Sequence, residues 1–201
     1  MSKRIILIGG MPTAGKSTTA RAVAKHFDLP WISTDQICII MQSIADPAQN
    51  PILFFAHNVT AEEYLENRTP QQVADEEYAQ DQIIWHGVQA FIDRNFTWKN
   101  GFVVEGVGIL PELVSKTYSD NPDVQAVFLS DSDHDRTRDI IYSRGVFTDA
   151  SLYSDHVKDK ELEWVKIFDQ KIRAEADKFD YPIIEVSKDA NDIEKVLRAL
   201  N

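Results

Sequence analysis

The stretch RIILIGGMPTAGKSTTARAVAKHF, residues Arg4–Phe27, decides the fold that this chain can adopt. It opens on four consecutive apolar residues, Ile5–Ile8, and such a continuous run is typical of a central parallel strand covered on both faces. It closes on a helical pattern in which four apolar residues share one face: Ala20, Val23, Ala24 and Phe27. The stretch therefore predicts a buried strand, a glycine-containing loop and an amphipathic helix, in that order.

The loop of this stretch, Gly10–Ser17, matches the phosphate-binding pattern G-x-x-x-x-G-K-[ST] in full. Its glycines let backbone N–H groups point inward around a phosphate, and the following helix adds the positive end of its dipole. In this pattern Lys16 reaches the β- and γ-phosphates, and the Ser17 hydroxyl is a ligand for Mg²⁺. We therefore predict a nucleotide site whose phosphate contacts come from Gly10, Thr13, Ala14, Gly15, Lys16, Ser17 and Thr18.

Acidic residues follow two further predicted strands. The short run Trp31–Ser33 leads to Asp35, and the apolar run 102–104 leads to Glu105. Because ligands bind at the carboxyl ends of parallel strands, we expect both carboxylates to face the phosphates. Asp35 is the predicted base for an acceptor hydroxyl, or a residue of the magnesium shell, and Glu105 a predicted magnesium or acceptor contact. Alternatively, Asp35 or Thr34 only caps the next helix, and Glu105 is satisfied by backbone N–H groups.

Arginines cluster after the fourth predicted strand, DVQAVFLS. Arg136, Arg138 and Arg144 lie within nine residues there, which suits a mobile lid of about 131–150 that neutralises charge during phosphoryl transfer. Arg144, beside Gly145, is the first catalytic candidate, and Arg136 is the second. The alternative is a solvated face on which the arginines pair with four neighbouring carboxylates: Asp131, Asp133, Asp135 and Asp139.

Length, charge and cysteine content limit the classes of function. The 201 residues suit one domain over 1–201. The net charge of −11 disfavours broad nucleic-acid or anionic-membrane binding. Cys38 has no second cysteine to pair with, which fits a reducing cytosol. The first apolar run ends too early for a signal peptide, and no run approaches the roughly 20 residues of a membrane span. We therefore expect a cytoplasmic protein with no membrane partner; the oligomeric state is left open.

Four segments carry a family resemblance: GGMPTAGKSTTA, WISTDQI, VVEGVGILPELV and HDRTRDIIYSRG. Together they resemble the adenylate-kinase-like group of small-molecule kinases, and within it 2-phosphoglycerate kinase and its relatives. The resemblance implies an α/β P-loop NTPase fold of the nucleoside-monophosphate-kinase type, with a five-stranded parallel sheet, helices on both faces and an arginine-bearing lid. It also implies ATP and Mg²⁺ as cofactors. Two positions depart from the family pattern: Cys38 stands where an arginine is frequent, and Gly108 where a histidine is frequent.

An acceptor-binding insertion is expected at about 46–98, between the second and third strands. It contains a predicted helix over about 71–96. The segment before that helix offers four candidate pocket residues, which could equally be core: Leu53, Phe54, Phe55 and His57. Arg68 is a candidate contact for an acidic group of the acceptor.

The predicted function is ATP-dependent transfer of the γ-phosphoryl group to a hydroxyl of a small molecule, for example a 2-phosphoglycerate-like acceptor. Lys16 and a lid arginine would stabilise the moving group, while Asp35 deprotonates the acceptor. The alternatives are a nucleoside or polynucleotide kinase and a nucleotide-dependent switch. Against the switch, the sequence contains no guanine-reading [NT]-K-x-D pattern and no glutamine-bearing switch segment.

Overall fold

A computed structural model describes residues 3–57, 59–147, 149–187 and 192–201. The predicted insertion and lid each contain one residue outside these ranges, Asn58 and Thr148 respectively. No helix in the described ranges is both long enough and apolar enough to cross a membrane.

Within these ranges, the sheet has five parallel strands in the order β2-β3-β1-β4-β5. Their bounds are β1 Arg4–Gly10, β2 Trp31–Ser33, β3 Gly101–Glu105, β4 Val124–Ser130 and β5 Ile183–Glu185. The central strand β1 is buried on both faces, and Ile5–Ile8 are at most 1% exposed. This burial explains the continuous apolar run, because a strand covered on both sides has no solvent face to mark with polar residues.

Eight α-helices surround the sheet within the described residues: α1 Lys16–Phe27, α2 Thr34–Ile44, α3 Ala61–Glu66, α4 Pro70–Asp93, α5 Pro111–Tyr118, α6 His134–Arg144, α7 Asp155–Lys178 and α8 Asp192–Ala199. The long helix of the insertion begins at Pro70, because the Thr69 hydroxyl caps it and proline suits the first helical turn. It ends at Asp93, three residues before the predicted end. The other long helix, α7, begins at Asp155, after a short 3₁₀ helix, Ala150–Leu152.

The packing of the helices places α4 opposite the phosphate-binding loop. Helix α4 lies between α2 and α7, while α1 packs on β3. Most of the buried face of α4 is apolar, as in Val73, Ile84 and Val88, but the same face also carries Glu77 and Asp81. The carboxyl ends of the strands and the middle of α4 therefore meet around one cavity.

Candidate active site

The loop between β1 and α1 has a backbone that only certain residues can adopt. Gly10 has a φ of +125°, and a side-chain carbon there would lie 2.0 Å from the Leu129 carbonyl oxygen. Gly15 has a φ of +78°, although a side-chain carbon would meet no atom within 4 Å. Thr13 also has a positive φ, of 70°. Close packing therefore requires glycine at position 10, whereas backbone conformation favours it at position 15.

Lys16 points back into this loop. Its side chain is 9% exposed, and Nζ donates a hydrogen bond to the Met11 carbonyl over 2.7 Å. Burial lowers the pKa of Lys16 to about 8, against the raising effect of nearby carboxylates, of which Glu105 has the largest influence. The Thr13 hydroxyl is buried without a hydrogen-bond partner among the described residues. A buried ammonium, an unpartnered hydroxyl and an open glycine form a cradle that fits an anion such as phosphate.

Glu105 ends β3 beside the start of α1. Burial raises the pKa of its carboxyl, and a hydrogen bond with the Ser17 hydroxyl and the charge of Lys16 oppose that rise. Within the part of the chain that the structure describes, no three His, Cys, Asp or Glu side chains are arranged to hold a metal ion. Mg²⁺ in phosphate-binding enzymes needs only one or two protein oxygens, because phosphates and water complete its shell. Ser17 and Glu105 have the right chemistry for that partial set.

Asp35 lies in the first turn of α2 and is exposed toward the cavity. The cap of this helix is Ser33, whose hydroxyl accepts from the Gln36 N–H over 3.2 Å. The Gln36 side chain accepts in turn from the Ser33 N–H over 3.1 Å, which completes a capping box. The alternative that Asp35 or Thr34 caps the helix is therefore wrong. Asp35 keeps its carboxylate available to the cavity.

One cavity of about 650 Å³ connects these groups. It runs from Lys16 and Ser17 past Asp35 to the middle of α4. Two basic side chains line it, among the described residues: Lys16 and Arg144. Four carboxylates also line it: Asp35, Glu77, Asp81 and Glu105. The cavity is therefore predominantly acidic away from the loop.

The arginines of α6 separate into different environments. Arg144 ends α6, lines the cavity and, within the described residues, has no hydrogen-bond or ion-pair partner. Arg136 forms an ion pair with Asp131, with Nη2–Oδ2 2.6 Å apart, and lines a second cavity of about 300 Å³ beside the loop. Arg138 is exposed and donates to the Tyr142 hydroxyl over 3.2 Å. The structure brings Arg144 together with Lys16 and leaves Arg136 and Arg138 outside the larger cavity.

No model of a known protein family matches the chain. Among curated proteins, a 2-phosphoglycerate kinase from Methanococcus maripaludis is 26% identical over 203 residues. The match covers 96% of this chain and 63% of that protein, so the chain spans less than two thirds of its relative's length.

Solved structures give the comparison at the level of the fold. Shikimate kinase from Acinetobacter baumannii, in complex with shikimate, superposes with a TM-score of 0.56 at 16% identity, covering 98% of this chain and 91% of that chain. A gluconokinase from Sinorhizobium meliloti gives 0.51 at 14% identity, with the same coverage of both chains. The chain has the P-loop kinase fold. The predicted nucleoside-monophosphate-kinase-like architecture and the resemblance to adenylate-kinase-like kinases are thereby confirmed.

Within this P-loop kinase fold, the two carboxylates on α4 are the site residues that the sequence analysis missed. Glu77 and Asp81 are 9% and 0% exposed and lie one helical turn apart. Their spacing continues through Ile84 and Val88 on the same helical face. That periodicity was the available signal, because it places two acidic side chains on the core face of a helix, where acidic residues rarely lie fully buried unless they are paired.

The segment before α4 contributes less to the cavity than the sequence suggested. Phe55 lines the cavity. Leu53 is a core residue, 1% exposed, and its carbonyl accepts hydrogen bonds from the Gln42 and Gln80 side chains. Arg68 lies outside the cavity and forms an ion pair with Glu76 at 2.7 Å. The predicted acceptor contact of Arg68 therefore has no support in this arrangement.

Proposed function

We propose that the protein is an ATP-dependent phosphotransferase that moves the γ-phosphoryl group to a hydroxyl of a small molecule. The observation that carries this proposal is the continuity of the larger cavity from Lys16 to Asp35 and onward to α4. A transfer reaction needs a site for the donor phosphates, a separate space for the acceptor, and a carboxylate between the two. A site for hydrolysis alone would need no such space.

The phosphate-binding loop would hold the nucleotide. Its N–H groups and the N-terminus of α1 would contact the phosphates, as would Lys16, once its Nζ exchanges the Met11 carbonyl for a phosphate oxygen. Ser17 and Glu105 would hold Mg²⁺, which when bound neutralises charge on the phosphate oxygens. The second cavity adjoins the same loop through Thr13, Gly15 and Thr18 and offers room for the nucleoside.

Asp35 would act on the acceptor. Its carboxylate lies in the cavity wall and can accept the proton of a hydroxyl placed between it and the loop. Arg144 approaches from α6 closely enough for its charge to lower the pKa of Lys16. Two neighbouring positive charges suit a transferring phosphoryl group, because negative charge spreads over its oxygens in the transition state.

The comparisons support a phosphotransferase without choosing the acceptor. The names of similar proteins point to three different acceptor chemistries: 2-phosphoglycerate, shikimate and gluconate. Each name concerns only that protein. What they share is the donor chemistry, which agrees with the loop described above.

The test is ADP formation from Mg·ATP with and without a panel of hydroxylated small molecules, including nucleosides and a short oligonucleotide. The proposal expects ADP formation to depend on one class of small acceptor. Dependence on the oligonucleotide would instead identify a polynucleotide kinase. Acceptor-independent hydrolysis that a protein partner stimulates would contradict the proposal and identify a switch.

A further inference from the structure

Glu77 and Asp81, here called the α4 acidic pair, line the same cavity as the phosphate-binding loop. Both oxygens of Asp81 are buried and have no hydrogen-bond partner among the described residues. The wall around the pair also includes Cys38 and Gln80. A fully buried carboxyl with neither oxygen paired is costly, unless a ligand supplies the missing partners.

Other buried acidic residues of this protein show what a purely structural carboxylate looks like. Glu161 accepts from the Tyr153 hydroxyl over 2.7 Å and from the Phe147 N–H over 3.2 Å. Asp169 accepts from Arg173 Nε over 2.9 Å. Among the described residues, Asp81 is the one carboxylate whose two buried oxygens both lack a partner. The fold therefore supplies hydrogen-bond partners to these two structural carboxylates. It supplies none to Asp81 among the described residues.

The charges around the cavity disfavour an anionic partner for this pair. The two basic side chains of the cavity, among the described residues, both belong to its phosphate side, since Lys16 donates to the loop and Arg144 influences Lys16. An anionic acceptor would thus place its charge beside Asp35, Glu77 and Asp81. Among the described residues, Lys16 is the one cation that acts on Asp81, and under the proposed function the nucleotide phosphates already engage that ammonium.

We propose that the α4 acidic pair, together with Asp35, binds a protonated primary amine of the acceptor, so that the substrate is a hydroxylated amine rather than a carboxylate or a phosphate. This inference rests on the proposed phosphotransferase function. An ammonium group has three donors and no acceptor, which matches a wall of unpartnered carboxylate oxygens. Hydrogen bonds between an ammonium and a carboxylate are also roughly twice as strong as neutral ones. The acceptor's hydroxyl would then lie between the amine and the phosphate-binding loop, within reach of Asp35.

The proposal predicts that ligand binding releases protons, which can be measured without turnover. Burial, together with the neighbouring carboxylates, raises the pKa of Glu77 to about 8 and raises the pKa of Asp81 well above its usual range. The titratable groups that face the pair are Asp35 and Cys38 from α2 and Lys16 from α1, while Glu76 acts on Glu77 from the same helix. Both groups therefore hold their protons to a higher pH than exposed carboxyls do. An ammonium favours the charged carboxylates, so its binding releases protons to the buffer.

The experiment uses three six-carbon polyols that differ at one terminus: glucamine, sorbitol and gluconate. Each is titrated calorimetrically into the full chain with a non-hydrolysable ATP analogue, at pH 7, in two buffers of different ionisation enthalpy. We expect glucamine to bind at least about 10-fold more tightly than sorbitol or gluconate, with proton release. Transfer from ATP should follow the same order, and 2-phosphoglycerate should not be phosphorylated.

Variants separate this inference from the proposed function. The double variant Glu77→Gln with Asp81→Asn keeps the shape of the wall and should lose the glucamine preference and the proton release, with unchanged affinity for the ATP analogue. Asp75→Asn removes a charge from the exposed face of α4 and should behave like the wild type. If the double variant unfolds, Glu77→Gln alone is compared.

Each remaining outcome bears on one of the two claims. Tighter binding or phosphorylation of gluconate or 2-phosphoglycerate overturns the amine assignment, as does a glucamine preference that survives in the double variant. Absence of any glucamine binding also overturns it. Failure of the ATP analogue to bind would instead contradict the proposed function.

Discussion

The two ends of the larger cavity are built in different ways. The donor side, Gly10–Ser17 with Glu105, is mainly backbone: a continuous loop whose φ angles and helix N-terminus arrange N–H groups around an anion. The acceptor side, Asp35 with Glu77 and Asp81, consists of carboxylates from two helices that are distant in sequence. Under the proposed function, one short motif would recognise the phosphate, whereas residues brought together by tertiary packing would recognise the acceptor. This difference explains why the donor is easier to name than the acceptor.

The substitution Lys16→Ala should have the largest effect of the tests on the donor side. The variant should lose phosphoryl transfer by about 10³-fold or more, because it removes a buried positive charge at the phosphates. Thermal stability should be maintained, since the ammonium has one hydrogen bond, to Met11, and its burial is itself unfavourable. Turnover and melting temperature are measured together.

The matched control for this variant is Lys25→Ala, which removes an exposed lysine from the same helix. It should retain wild-type transfer. Equal loss of activity in both variants would show that α1 tolerates no change of charge, and wild-type turnover by Lys16→Ala would refute the donor side altogether.

Arg144→Ala tests whether α6 serves the donor side. We expect kcat to fall by roughly 10²-fold with little change in melting temperature, as for the loss of one preorganised charge. Arg138→Ala removes an exposed arginine of the same helix and should leave kcat unchanged. A normal kcat in the Arg144 variant would place that guanidinium on a solvated face. Arg136 would then be the next arginine to replace.

The smallest effect concerns the stability of the acceptor side. Burial raises the pKa of Glu77 from 4.5 to about 8, so the folded protein binds more protons than the unfolded chain between these values. The contribution of Glu77 to the free energy of unfolding therefore falls as pH rises from about 4.5 to 8. Glu77→Gln removes this dependence, and its melting temperature should exceed that of the wild type by roughly 4 °C or more at pH 8 but match it near pH 5. Melting curves that run parallel at all pH values would contradict the burial argument.

The strands and the donor side could be predicted because their signals are local. The apolar run Ile5–Ile8, the glycine spacing and the position of Lys16 all lie within one short stretch, and each has a single physical explanation. The cap of α2 was also readable in principle, because Ser33 with Gln36 three residues later forms a capping box. The sequence alone left two candidates for the cap, because aspartate caps helices about as well as serine does and Asp35 lies two residues after Ser33.

The acceptor side could not be predicted because its signals are not local. Glu77 and Asp81 reach the cavity only because α4 packs between α2 and α7. Their periodicity was visible in the sequence, but helical carboxylates are usually solvated, so the pattern alone favoured a surface face. In the same way, the ion pair of Arg136 with Asp131 depends on the turn that follows β4.

The measurement that tests the central claim most directly is made on Asp35→Asn, which keeps the side-chain shape and removes the proton acceptor. Mg·ATP affinity and transfer to the acceptor are measured on the same preparation. If the two ends of the cavity act as described, affinity for Mg·ATP stays nearly unchanged, while transfer falls by roughly 10²–10⁴-fold, the usual effect of removing a positioned base. Undiminished transfer, or a loss of Mg·ATP affinity that accounts for the lost transfer, would contradict the account.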